Sequence, residues 1–242
     1  MSPQGSGAPN GGARLLIVNA DDFGAGEGVN RGVAHAHEHG IVTSASLMVG
    51  MSGTLQAVDL ARDRPALSLG LHVDLTGEGT PASADLADVE ACHAAIRSQL
   101  GRFEELVGRA PSHLDAHHNV FRLAHLEPLF VEVAAERSLP LREHSAVRYL
   151  PHFYGQWDDG ETHLEWIGPD NLIAILADGA PPGITELSCH PGFVDATLRS
   201  SYHIEREAEL RTLCDPKVRR YVDAELELVN YDDVRELHVG RA

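Results

Sequence analysis

Apolar residues fall into two alternating rhythms along this chain. Residues 14–21 (RLLIVNAD) form a short apolar run ending in polar side chains, and residues 27–39 then carry Val29, Val33, Ala34 and Ala36 at helical spacing until Gly40. A short bounded run reads as a strand, and apolar positions recurring every three to four residues read as the inner face of a helix. The pair recurs as strand 41–49 with helix 55–62, strand 67–75 with helix 86–107, and strand 112–116 with helix 126–137. Beyond these the pattern predicts strands at 139–143, 184–189 and 227–229 and helices at 171–177 and 204–213. Strands alternating with helices imply a mostly parallel α/β sheet covered by helices. About seven such units fit an irregular (β/α) barrel, with an open doubly wound sheet as the alternative. In either, a site belongs at the carboxyl ends of the strands.

At 242 residues a core is large enough to fold without a cross-link or a structural metal, so a bound metal would serve chemistry. Residues 1–13 (MSPQGSGAPNGGA) read as a flexible tail without the basic and apolar segments of a signal peptide, leaving 14–242 as one domain. The 19 Lys and Arg residues face 36 Asp and Glu, and a net charge of −17 argues against nucleic acid as a partner. No apolar run is long enough for a membrane span. Cys92, Cys189 and Cys214 are scattered, so neither a disulfide framework nor a cysteine zinc site is expected, and a reducing cytoplasm is the expected location. Histidine is plentiful, at 15 residues.

The chemistry-bearing residues gather at strand ends. In Asn19-Ala20-Asp21-Asp22-Phe23-Gly24, one carboxylate can hold a cation while its neighbour takes a proton from water, although a helix cap and turn would use the same residues. Gly24, Gly26 and Gly28 lack the spacing of a dinucleotide loop. On strand 67–75 the period of two puts His72 and Asp74 on the polar face, as a ligand or as a satisfied structural histidine. Within 112–118, His113, Asp115 and His117 are expected on one face, where imidazole and carboxylate suit Zn²⁺ and related ions. A hydrogen-bonded polar cluster is the alternative. Glu186, Ser188 and His190 repeat the arrangement, with His190 at a strand end suited to a general acid and Cys189 packed behind.

In this order, LLIVNADDFG, IVTSASLMV, LGLHVDLT, PSHLDAHHNV and ITELSCHPG resemble the YdjC-like carbohydrate deacetylases, which include chitooligosaccharide deacetylases. The resemblance implies an irregular (β/α) barrel related to polysaccharide deacetylases. It further implies that Asp22, His72 and His117 hold a divalent ion, with Asp21 as catalytic base and His190 as general acid. Zn²⁺ is the ion expected in vitro, with Mg²⁺, Mn²⁺, Co²⁺ or Ni²⁺ also fitting such a donor set. His113, Asp115 and Arg142 become candidates for supporting the site or meeting substrate. Family members often run His-His-His-Val-His where this chain reads His117-His118-Asn119-Val120-Phe121, which alters the pocket rim at Asn119 and Phe121. The stretch 77–100 is shorter than in the chitooligosaccharide enzymes, so part of a covering loop is missing, which implies either a more open cleft or one completed by another subunit of a homo-oligomer.

The expected substrate is therefore an N-acetylated sugar, from which Asp21, His190 and a metal-activated water release acetate. Tyr149, His152, Tyr154 and Trp157 offer aromatic faces for stacking on a sugar or for ordinary packing. Rival readings are a metal-dependent hydrolase of another amide or of a phosphoester, and a catalytically silent carbohydrate-binding protein.

Overall fold

The computed structural model describes residues 12–77, 84–157, 160–194 and 200–234. Most of the expected tail, and residues 78–83 of the shortened 77–100 stretch, lie outside the described residues.

The chain alternates as expected. Strand β1 (Arg14–Phe23) leads to α1 (Glu27–His39), β2 (Ser44–Leu47) to α2 (Thr54–Arg62), β3 (Ser68–Val73) to α3 (Val89–Val107), and β4 (Leu114–Ala116) to α4 (Glu127–Arg137). There follow β5 (Arg148–Leu150), a hairpin of β6 (Gln156–Trp157) and β7 (Glu161–Thr162), α5 (Pro169–Gly179), β8 (Gly183–Cys189), α6 (Ile204–Leu213), α7 (Pro216–Glu225) and β9 (Glu227–Leu228). The main sheet is parallel in the order β4-β3-β2-β1-β8-β5, with β9 beside the start of β1. It curls into an incompletely closed α/β barrel whose strands are buried nearly throughout, with apolar side chains outward under the helices and polar ones such as Asn19, Ser44, Ser46, Ser68 and His72 among the buried remainder.

Local chemistry sets the helix limits. Helix α1 buries Val29, Val33 and Ala36 and stops at Gly40. Helix α3 starts where the Asp88 carboxylate accepts the Ala91 N–H and ends at Gly108, whose φ of 79° is a left-handed cap. The outer faces of the strands and these helices share a continuous core that includes Leu16, Val18, Leu47, Leu71, Phe103 and Phe130.

Three expectations need correction here. The strand at 139–143 shrinks to one bridge between Leu141 and Leu114, because Pro140 has no N–H to donate and Glu143 turns the chain away at a φ of 65°. His117 is not on a strand: β4 ends at Ala116, and His117 opens a 3-10 turn, His117–Arg122, in which His118 and Asn119 are left-handed. Asp74, expected beside His72, instead accepts the N–H groups of Thr76 and Gly77 in the turn after β3.

Candidate active site

Adjacent residues of a regular strand face opposite ways, yet Asp21 and Asp22 line one cavity. The register of β1 against β2 slips between Ala20 and Phe23, and Asp22 takes a φ of 64°. The turn is held by the Ala25 N–H on the Asp22 carbonyl and by the Gly24 N–H on the Asn30 side chain, at 2.9 and 2.7 Å. A left-handed non-glycine residue costs of order 1–3 kcal/mol, and such strain concentrates at functional sites.

The twist brings Asp22 to His72, at the end of β3, and to His117. Asp22 Oδ1 lies 3.4 Å from His72 Nε2 and 3.1 Å from His117 Nδ1. Ligand atoms of the three residues lie within 4.8 Å of one another. Among the described residues Asp22 Oδ1 is buried without a hydrogen bond, an arrangement costly for a carboxylate unless a cation meets it. One carboxylate oxygen and two imidazole nitrogens make a donor set that fits a divalent ion such as Zn²⁺. A second grouping, Asp21, His72 and Asp115, is equally compact, but the oxygens of both its acids are already engaged by Arg142, His72 and Ser46.

Asp115 lies behind His72 and orients it. Its Oδ1 is 2.8 Å from His72 Nδ1, which turns Nε2 toward Asp22. Burial alone would raise the Asp115 carboxyl, but Arg142 and His72 outweigh it and hold Asp115 below the usual carboxylate range. Burial likewise raises Asp22, and Arg206, His117 and His72 together draw it well below. His113 sits deeper, stacked on Tyr231 with ring centroids 3.8 Å apart and between the hydroxyls of Ser46 and Ser112. Its ring occupies space that only Gly70 leaves free, since a Cβ there would lie 2.2 Å from the imidazole. Burial first, and Arg142 with it, lowers His113 to about 4, so it is a neutral buried ring.

Arg142 is 1% exposed and reaches three strands. It donates two hydrogen bonds of 2.8 Å to the two oxygens of Asp21, lies 2.9 Å from Asp115, and donates to Glu186 on β8. Tyr149 of β5 stacks beneath the guanidinium at 4.9 Å and meets Ser188 through its hydroxyl at 3.0 Å. Tyr231 completes Glu186 with a 2.6 Å hydrogen bond. An arginine so enclosed acts as a fixed fork that sets the carboxylate planes.

His190 follows β8 and faces Asp21, with Nε2 3.9 Å from Oδ2. Its backbone N–H is held by Glu209 of α6, whose other oxygen accepts the Tyr202 hydroxyl and lies 3.8 Å from His190 Nδ1. The segment is seated because Gly192 lies against Gly32 of α1, where a Cβ would come within 2.4 Å of the Gly192 Cα. Tyr154 and Tyr202 stack in parallel at 4.6 Å beside His190.

These groups line a cavity of about 310 Å³ whose rim includes His118, Asn119, Arg122, Tyr149 and Tyr154. Phe121, expected at the rim, is instead buried against Phe130 in the core. Trp157 lies on the hairpin against His163 and Trp166 rather than lining the cavity. Asp21, Asp22, His72, His117 and His190 come together at the cavity, while His113, Asp115 and Arg142 stand behind them. Sequence reasoning missed Arg206, Glu209, Tyr202 and Ser46. The first two lie on helix 204–213 (IEREAELRTL), where charged and apolar residues are mixed without a clean apolar face, so no periodic signal marks them.

Relatives match this chain over nearly their whole length. A carbohydrate deacetylase of Clostridium beijerinckii is 33% identical over 244 residues, covering 90% of this chain and 99% of the relative. A chitooligosaccharide deacetylase of Yersinia enterocolitica is 32% identical, covering 87% of this chain and 94% of the relative. A crystal structure from Enterococcus faecalis, provisionally named for cellobiose-phosphate cleavage, superposes with a TM-score of 0.78 at 27% identity, covering 92% and 99% of the two chains. A peptidoglycan N-acetylglucosamine deacetylase shares the fold at a TM-score of 0.58 and 13% identity, covering 90% and 86%. With residues 15–224 also matching the model of the YdjC-like protein family, the chain belongs to that family.

Proposed function

We propose that this protein is a metal-dependent N-deacetylase of an acetylated amino sugar or oligosaccharide. The observation that carries the reading is the buried Asp22 Oδ1, which makes no hydrogen bond among the described residues, faces two imidazole nitrogens, and opens on the cavity shared by Asp21 and His190. The relatives' names supply the substrate class.

Asp22, His72 and His117 would hold the divalent ion, with Zn²⁺ the ion expected in vitro. When bound, that ion polarises the acetyl carbonyl and makes a water acidic enough to attack at neutral pH. Asp21 accepts the proton from the attacking water, its carboxylate plane fixed by Arg142. His190 Nε2 delivers a proton to the amine nitrogen as the carbon–nitrogen bond breaks, and the new carbon–oxygen bond leaves acetate and a free amino sugar. Tyr154 presents a partly exposed ring at the mouth for the apolar face of a sugar.

The test is acetate release from N-acetylated sugars, monomer to oligomer, using metal-stripped protein, Zn²⁺-reloaded protein and Asp21→Asn. Release restored by metal and abolished by Asp21→Asn supports the proposal. Phosphate release from phosphoesters, or sugar binding unaffected by Asp21→Asn with no release from any substrate, would replace it with one of the rival readings.

A further inference from the structure

We propose that Arg206 is a positioning residue that makes Asp22 a ligand through one oxygen only. The inference rests on reading Asp22, His72 and His117 as the metal site, but not on the identity of the substrate. Arg206 comes from α6, lines the cavity, and is 4% exposed. Its Nη2 donates to Asp22 Oδ2 at 2.6 Å, while Oδ1 is the oxygen turned toward His72 and His117. The two oxygens of one carboxylate are thereby divided between an arginine and the ligand set.

The guanidinium cannot easily swing away. Its Nε donates to the Tyr202 carbonyl at 3.1 Å, its Cζ lies 5.7 Å from the centroid of the Tyr202 ring, and the Arg206 carbonyl accepts the Gly192 N–H at 3.2 Å. Among the described residues Nη1 is buried without a hydrogen bond, so the wall carries this cation at the cost of an unmet donor. A positive charge beside a divalent ion opposes the ion's binding, so affinity for metal does not account for an arginine here. Geometry does. A carboxylate is able to clamp a cation with both oxygens, and occupying Oδ2 leaves the position that the second oxygen would take for water or substrate.

The test loads wild type, Arg206→Met and Arg206→Lys with Zn²⁺ and records metal-bound minus metal-free infrared spectra, with Asp22→Asn identifying the Asp22 bands. Metal stoichiometry and steady-state acetate release are measured on the same samples. The wild-type spectrum should show the wide splitting between carboxylate stretches that marks one-oxygen ligation. In Arg206→Met the splitting should narrow to the two-oxygen pattern with one ion still bound per chain, and kcat should fall about 10- to 100-fold with little change in KM. Arg206→Lys, which keeps a cationic donor, should restore the wide splitting. Arg206→Gln, polar but too short to reach Oδ2, repeats the test should Arg206→Met not fold. A wild-type spectrum of the two-oxygen type, or an unchanged splitting in Arg206→Met and Arg206→Gln, overturns the proposal. If the splitting shifts but no sugar is deacetylated, the substrate reading fails and this one stands; if wild type binds no metal, both fall.

Discussion

Arg142 grips Asp21 with both arms, Nη1 on Oδ2 and Nη2 on Oδ1, each at 2.8 Å. The pair fixes the plane of the carboxylate proposed to take the water's proton. A lysine offers a single point charge and cannot hold both oxygens. Arg142→Lys should lower kcat about 10- to 100-fold while leaving KM within a small factor, and saturation kinetics of acetate release will check this. Removing the guanidinium altogether in Arg142→Met leaves Asp21, Asp115 and Glu186 facing one another in the interior. Urea denaturation should then show a loss of about 3–5 kcal/mol.

His190→Gln should separate proton delivery from metal binding. The ring faces Asp21 and lies outside the Asp22, His72 and His117 set. The variant should bind one Zn²⁺ per chain with wild-type affinity while kcat falls about 10²- to 10⁴-fold. Calorimetric titration with Zn²⁺ beside kinetics checks both halves, and a parallel loss of metal would show His190 to be a ligand instead.

Gly32→Ala tests how His190 is seated. A methyl group at Gly32 would lie 2.4 Å from the Gly192 Cα and 2.9 Å from its nitrogen, so backbone must move. Overpacking of this kind costs about 1–3 kcal/mol. The displaced segment carries His190, so activity should fall by more than thermal stability alone explains at a temperature where the variant is fully folded. Gly101→Ala on α3, where an added Cβ meets nothing within 4 Å, is the control and should leave activity unchanged.

His113 predicts a pH signature. Burial lowers it in the folded protein to about 4, against 6.5 for the free group. Between those values the unfolded chain binds a proton that the folded chain refuses, so this group's contribution to stability falls as pH drops from about 6.5 to about 4, by about 3 kcal/mol in all. Glu186, raised by burial, works in the opposite sense. The reading is therefore the difference between wild type and His113→Asn. Denaturant titrations of the metal-free proteins should show a shallower decline for the variant across that window, and parallel curves would refute the assignment.

Much of this site was legible because it is built on strands. The alternation around His72 and the position of His190 just past an apolar run place both at the carboxyl edge without any three-dimensional information. His117 was identified as a residue but given the wrong setting, since the left-handed turn at His118 and Asn119 has no glycine to announce it. Arg206 and Glu209 were not found because a helix with charges on both faces reads as solvated unless its packing is known. Helix α7 was missed although its signals were present: Asp215 caps it, Pro216 occupies the first turn, and Val218 and Val222 are the buried pair. β5 is three residues long, too short for a periodic signal.

The sheet's incomplete closure bears on how the chain reaches this state. The two margins of the sheet, the Leu141 bridge beside β4 and strand β5, are joined in sequence by the short stretch between Leu141 and Arg148. Bringing them together therefore encloses only a small loop. The pairing of β1 with β8, Arg14 opposite Gly183, instead joins the first strand to one far along the chain, and β9 then adds to β1 within the shorter loop that follows β8. Because the entropy lost in closing a loop grows with its length, that central seam is the demanding step and the margins can meet afterwards at little cost. Asp21 and His190 sit just beyond that same seam, so recovery of activity during refolding should report on that long-range pairing.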